Sequence, residues 1–561
     1  MIRKYTWRAY VVIFLLLSGL FGLLWRLLDL NLMNRHFLLQ QSDARILRVV
    51  DMPAHRGMIT DRLGSVLALS SPVYSAWVNP KYFDASYTQL HVLAQVLHMP
   101  VSTIEARAEA SKKGFVYLKR QNPPEVMARI KALQIPGVHF QMDYQRFYPE
   151  GEAISHVLGI TNIDDHGQEG LELAYNGWLS GTVGKKEVLK DRMGHIVSEI
   201  AVLKKPQEGR DLTLSIDHRI QYIAYRALKE QVENLDADAG SIVVLKAKTG
   251  EILAMANLPS YNPNNREPQE KRDFRNRAVT DSFEPGSSMK PFTIAVGLES
   301  GKYAPDSTID THPGYMRVGG YEIKDDFHDN GVITLQKILE ISSNIGAAKI
   351  LLSLPPMQLW SLLRRLGFGE QTNTGFPGES GGKLTDHAVW YKSDVATLAY
   401  GYGVAVTTLQ LARAYAILAD RGMRYPLSFL KLDVPPKGDL VIPPKVAAEV
   451  DKMLESVVNG EKGTGHLARV LGYTVAGKTG TAYIAGPGGY DKKKYVGNFI
   501  GFAPASDPQL VIAVVIRNPH DAKHRHFGGQ TAAPVFSKVM ADSLRLLNVA
   551  PDNLPPNNTK N

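Results

Sequence analysis

The chain of 561 residues is too long for one ordinary core, so two or three folded units with connectors are expected. Its 44% apolar and 21% charged residues exclude wholesale disorder and a polytopic membrane protein, and the absence of cysteine excludes disulfides, zinc–thiolate sites and thiol catalysis. A net charge of +9 asks for an anionic partner, but no basic helical arm, RNP-like run or zinc-finger spacing supports nucleic acid, which leaves a membrane surface or an acidic polymer.

At the N-terminus, Arg3, Lys4 and Arg8 precede an uncharged run from Ala9 to Trp25, which Leu27, Leu28, Leu30 and Leu32 extend past Arg26. The length, the basic flank and the interfacial Trp7 and Trp25 predict a cytoplasmic tail over 1–8 and a spanning helix over 9–27, with the rest of the chain outside. No small-x-small cleavage site follows, so an uncleaved anchor is expected. Residues 28–50 mix Leu with Arg, Asp and Gln at helical spacing and predict a juxtamembrane helix.

An α+β module is expected over 51–208. It opens with short strands around a turn at Asp61–Gly64, has helices near 88–112 and 124–133, and turns glycine-rich over 146–181. From 209 to 548 the pattern runs strand, helix, two strands, several helices (287–299, 335–352, 357–366, 406–420) and three strands (473–485, 495–503, 509–518), predicting an α/β domain in which helices cover a sheet. Residues 549–561, rich in Pro and Asn, are expected to be disordered.

Three short patterns carry chemistry: Ser287-x-x-Lys290, Ser342-x-Asn344 and Lys478-Thr479-Gly480. Ser287 follows Pro285-Gly286 and opens an apolar helical run, so Lys290 shares its face and is placed to take the hydroxyl proton. To act as base, Lys290 needs its pKa lowered, for which burial at the positive helix end and a second cation, Lys478, are the expected agents. Taken alone, Ser287 reads equally as a helix cap, and Ser342 and Asn344 as the start of the next helix. Lys478, Thr479, Gly480 and Thr481 lie on a strand where Gly480 permits close backbone approach and a cation with hydroxyls suits a carboxylate.

Competing copies of these patterns sit in weaker contexts. Ser380/Lys383 lies among glycines, Ser428/Lys431 in an alternating strand-like run, Ser260/Asn262 in a proline-flanked turn and Lys248-Thr-Gly in a tight hairpin. His520, His524 and His526 form a cluster read either as metal-binding or as a solvated basic loop, the second being preferred. Neither a metal nor a cofactor is expected.

In this order and context the motifs resemble the penicillin-binding proteins and serine β-lactamases. Further runs, Arg56-Gly-x-Ile-x-Asp-Arg-x-Gly64, Arg146-x-Tyr-Pro-x-Gly151, His156-Val-Leu-Gly159, Gly167-x-Glu-Gly170, Ser260-Tyr-Asn-Pro-Asn-Asn265 and Glu322-Ile-Lys-Asp325, are similar to the class B, division-type penicillin-binding protein 3 family. Phe527-Gly-Gly departs from the Tyr-Gly-Gly often found in that family. The resemblance implies a membrane-anchored pedestal (dimerisation-type) domain and a D,D-transpeptidase domain. It would crosslink peptidoglycan stem peptides at the septum of the inner membrane, with a SEDS-family glycosyltransferase and other division proteins as partners and β-lactams as inhibitors.

By motif, Ser287 would attack the penultimate D-Ala carbonyl and release D-Ala, with Lys290 as base. Ser342 would relay protons, Asn344 orient substrate, and Lys478, Thr479 and Thr481 hold the carboxylate. The backbone N–H groups of Ser287 and Thr481 would form the oxyanion hole. A β-lactamase or D,D-carboxypeptidase shares Ser287, Lys290 and Lys478 and differs in letting water resolve the acyl-enzyme. A scaffold or β-lactam sensor should lack one motif, and none is missing. No Glu-Asp-x-x-Phe run supports a bifunctional glycosyltransferase.

Overall fold

The computed structural model describes residues 6–37, 47–109, 114–191, 196–265, 271–326, 329–486 and 488–554. An α-helix over Thr6–Leu28 ends in a π turn, Asp29–Met33. Within Trp7–Met33 an 18-residue window has a mean hydropathy of 2.3 and none of that window is buried, so the helix is long and apolar enough to cross a membrane. The juxtamembrane helix expected over 28–50 does not run its whole length. Residues 38–46 lie outside the described residues, and Leu47–Met52 is a strand paired antiparallel with Gly184–Lys190, which pairs in turn with Ile196–Lys204. The β-branched pair Val49-Val50 and a complete ladder of partners override the helical spacing there.

The chain divides into two compact units that no single cut near residue 208 separates. One comprises Met1–Arg56, Ser71–Gln145 and Ser180–Gly209; the other Gly57–Ser70, Arg146–Leu179 and Arg210–Asn561. In the first, helices Tyr87–Leu97, Val101–Glu109 and Pro124–Ala132 enclose Leu93, Leu97, Ile104, Leu118 and Ile130. Ser86 starts the first of these helices with a capping box, and a left-handed His98 ends it before Pro100. The single helix expected over 88–112 is thereby split, with residues 110–113 outside the described residues.

Two early segments belong to the second unit because their partners lie there. Ile59–Thr60 pairs with Val66 and Ala68 and, in parallel, with Leu212–Thr213. Arg146 Nε donates to Glu172 Oε1 at 2.6 Å with both side chains fully buried, and Arg146 Nη1 donates to the Gly57 carbonyl. A buried charge is tolerated only with such a partner, so this pair fixes 146–179 in place.

The centre of the second unit is a five-stranded antiparallel sheet. Its strands lie in the order Ile252–Leu258, Ala239–Lys246, Leu510–Arg517, Gly489–Ala503, Ala476–Gly486. Alternate residues face opposite cores. Ile242, Val244, Ile512 and Val514 pack with Ala224 and Leu228 of helix His218–Asn234 and Phe536 of helix Ala533–Leu546. Val243, Leu245, Val511 and Ala513 face the core that holds Phe292, Leu411 and Leu454. Residues 549–554 are tied to this unit rather than loose: Tyr473 donates to the Val549 carbonyl at 2.7 Å and the Thr474 amide to Asp552 at 2.7 Å. The remainder of the tail expected to be disordered lies outside the described residues.

Candidate active site

A 3-10 turn, Gly286–Met289, leads into the helix Lys290–Glu299. The turn is locked from below, since Ser288 Oγ donates to the Pro285 carbonyl and the buried Tyr415 hydroxyl donates to the Ser288 carbonyl, both at 2.8 Å. Ser287 lies half-buried on the wall of a cavity of about 560 Å³, and Lys290, three residues on, is wholly buried.

The strand Ala476–Gly486 is the sheet's edge, and it passes unusually close to this turn. A Cβ on Gly480 would lie 2.5 Å from the Pro285 carbonyl oxygen and 2.3 Å from Asn498 Oδ1. Glycine is therefore demanded at 480 by the approach of two backbones. Asn498, opposite Gly480 on the next strand, donates to the same Pro285 carbonyl at 3.1 Å and fixes the distance between turn and strand.

The helical segment expected over 335–352, with Ser342 and Asn344 read at the start of the next helix, divides into Leu335–Glu340 and Asn344–Leu352. Ser342 stands in the break with a left-handed φ of +63°, a strain that cores seldom tolerate and functional sites often keep. The cap of the second helix is Ser343, whose Oγ accepts from the Gly346 amide at 2.9 Å, so the side chain of Ser342 is released from capping. Asp325, buried, holds the break in place. Its Oδ1 accepts from the amides of Asn344 (2.7 Å) and Ile345 (3.0 Å), and its Oδ2 from the Ser343 hydroxyl (2.6 Å).

Lys290 Nζ contacts the Ser342 carbonyl, Asn344 Oδ1 at 2.8 Å and Ser342 Oγ at 3.2 Å. Lys478 Nζ, also wholly buried, lies 3.0 Å from the same Ser342 Oγ and 3.3 Å from Thr479 Oγ1. One hydroxyl thus bridges two amines. Lys290 Nζ donates to all three oxygens; on losing a proton it can keep the bonds to the carbonyl and the amide oxygen and turn a lone pair to the Ser342 hydroxyl. Burial lowers the Lys290 pKa to about 7, against the pull of Asp325 and Asp326. Burial first, and then the Lys290 charge, push Lys478 well below its ordinary range. The expected second cation is accordingly not the principal cause at Lys290; desolvation is.

Ser287, Ser342, Asn344, Thr479 and Thr481 all line the one cavity, with Lys290 and Lys478 directly behind Ser342. The Ser287 hydroxyl makes no hydrogen bond to Lys290, a contact that often forms only once substrate is bound. The competing copies stand outside the cavity: Ser380 Oγ accepts from the Gly382 amide, Ser428 Oγ donates to the Leu430 carbonyl, Lys248 pairs with Asp507, and Ser260 donates to the Glu152 carbonyl.

The three histidines separate. His520 pairs with Asp238 at 3.0 Å, whereas His526 stacks between Tyr495 and Phe527 on the cavity wall. Asp325 stood out in the sequence only within the Glu322-Ile-Lys-Asp325 run and His526 only within the histidine cluster; the signal for Asn498 and Thr464 (2.8 Å from Thr479 Oγ1) was weak, because each acts through a contact far along the chain. Among the described residues the only group of potential metal ligands is Asp61, Asp217 and His218. Its carboxylates are taken by the His218 imidazole, the Arg219 guanidinium and backbone amides.

The penicillin-binding protein transpeptidase domain matches residues 240–541, and the penicillin-binding protein dimerisation domain matches residues 51–214. The chain belongs to the penicillin-binding protein transpeptidase family. Among members of that family, a probable peptidoglycan D,D-transpeptidase PbpC of Pseudomonas aeruginosa is 43% identical over 553 residues, 98% of this chain and 97% of that one. The peptidoglycan D,D-transpeptidase FtsI of Escherichia coli is 40% identical over 555 residues, 98% and 93% of the two chains. The crystal structure of penicillin-binding protein 3 from Mycobacterium tuberculosis, complexed with aztreonam, superposes with a TM-score of 0.70 at 27% identity, covering 90% of this chain and 98% of that one.

Proposed function

We propose that Ser287 is the acylated nucleophile through which this chain, a peptidoglycan D,D-transpeptidase, crosslinks stem peptides of the septal wall and is inhibited by β-lactams. The observation that carries the reading is the Ser342 hydroxyl set between two buried lysines beside Ser287. A site holding two amines without a carboxylate partner keeps at least one of them neutral, and a neutral amine is a base.

The substrate's terminal carboxylate enters at Thr479 and Thr481. There it supplies the anion that lets Lys478 take up a proton, and the new cation drives Lys290 toward its free-base form. Lys290 takes the Ser287 proton as Oγ attacks the penultimate D-Ala carbonyl. The Ser287 and Thr481 N–H groups receive the oxyanion, each such donor contributing about 3–4 kcal/mol. Ser342 passes the proton to the departing D-Ala amine, leaving an acyl-enzyme for a second strand's amine to resolve, while Asn344 orients the peptide.

In this reading the expected pedestal over 51–208 is non-catalytic except for its segments 57–70 and 146–179, which join 209–548 in the transpeptidase unit. The helix over 9–27 is a single-pass anchor with its N-terminus in the cytoplasm and the catalytic unit in the periplasm, beside a SEDS-family glycosyltransferase and other division proteins. A fluorescent penicillin should label wild type and leave Ser287→Ala unlabelled; labelling of the alanine variant at the wild-type rate overturns the assignment. A reporter fused after Asn561 should be active only outside the cytoplasm, and cytoplasmic activity refutes the topology.

A further inference from the structure

The mechanism leaves one charged group on the cavity wall without a task. Asp326 is exposed and lines the cavity together with Ser287, Ser342 and Asn344. Among the described residues its carboxylate makes no hydrogen bond and no ion pair, although its charge is felt by both buried lysines. Its neighbour Asp325 is committed to the Asn344 and Ile345 amides and the Ser343 hydroxyl, so the backbone at 325–326 is pinned to the start of the helix that carries Asn344. Asp326 therefore belongs to the Asn344 side of the site, whereas Thr479 and Thr481 belong to the sheet edge.

A donor bound with its carboxylate at the sheet edge and its peptide amide at Asn344 directs its remaining acyl portion toward Asp326. An ammonium there gains a partner, a neutral group gains nothing, and a carboxylate is repelled. We propose that Asp326 is a specificity-determining residue that selects acyl donors bearing an ammonium group on the acyl portion next to Asn344. The inference rests on the Ser287 reading and deepens it.

Three penicillins sharing one nucleus provide the test: ampicillin carries an α-ammonium, benzylpenicillin is neutral there, and carbenicillin carries a carboxylate. Second-order acylation constants are measured for the full-length protein in detergent, and ratios cancel any general effect on Lys290. Asp326→Asn should lower the ampicillin-to-carbenicillin ratio roughly tenfold, about threefold from each arm, and Asp326→Lys should lower it further. Raising salt on wild type alone should narrow the same ratio, which needs no variant to fold. Ratios equal within about twofold in wild type and both variants, or insensitive to salt, overturn the proposal. If benzylpenicillin fails to acylate wild type at all, the Ser287 reading fails, and the proposal with it.

Discussion

Two of the places where the second unit buries charge do so in opposite ways. Arg146 and Glu172 are fully buried and answer each other at 2.6 Å. Lys290 and Lys478 are equally buried, yet among the described residues no carboxylate pairs with either, and they share a serine hydroxyl instead. The first arrangement sets opposite charges against each other and acts as architecture. The second disfavours the ammonium forms, as the proposed base requires, so what separates the two arrangements is the partner rather than the burial.

The largest effect that could break this contrast is at Lys290. Lys290→Met keeps the volume and removes the base, and should slow acylation by benzylpenicillin roughly 10²–10⁴-fold while leaving a folded protein. A loss under threefold would show that the base lies elsewhere. Arg146→Met should act in the reverse sense. It removes one half of a fully buried ion pair and should cost about 3–5 kcal/mol in chemical denaturation, with acylation of the surviving folded fraction largely retained.

The pair of buried amines was legible in the sequence, and its logic only partly so. Ser287, Lys290, Ser342, Asn344 and Lys478 can be picked out because helical spacing and the Pro-Gly preceding Ser287 separate them from the copies at Ser380 and Ser428. The reason Lys290 is depressed was not legible, since desolvation depends on what the fold packs around it. The same holds for Asp325 and Asn498, whose partners are 19 and 213 residues away. It also holds for the assignment of 57–70 and 146–179 to the catalytic unit, which follows from pairing with Leu212–Thr213 and from the Arg146–Glu172 pair. The strand at Leu47–Met52 replaces the last residues of the helix expected over 28–50 for a related reason: its pairing partner begins at Gly184.

Smaller effects sharpen the comparison. Gly480→Ala places a methyl against the Pro285 carbonyl and Asn498, and should cost about 1–3 kcal/mol of stability by overpacking and slow acylation by widening the gap between turn and strand. Wild-type stability in Gly480→Ala would mean that the two backbones can part freely. The protonation of Lys290 gives the mildest probe. Its pKa falls from 10.5 to about 7 on folding, so between those values the unfolded chain holds a proton that the folded protein lacks. Its contribution therefore makes stability rise with pH across that window. The Lys290→Met variant should show a flatter stability profile between about pH 7 and 10, and identical profiles would contradict a buried, depressed amine.

The most direct measurement is peptide mapping by mass spectrometry after brief exposure to benzylpenicillin. The account predicts a single adduct on the peptide containing Ser287, in which the hydroxyl has opened the lactam ring, and its disappearance in Ser287→Ala. An adduct on any other serine, or one that persists in the alanine variant, would contradict it.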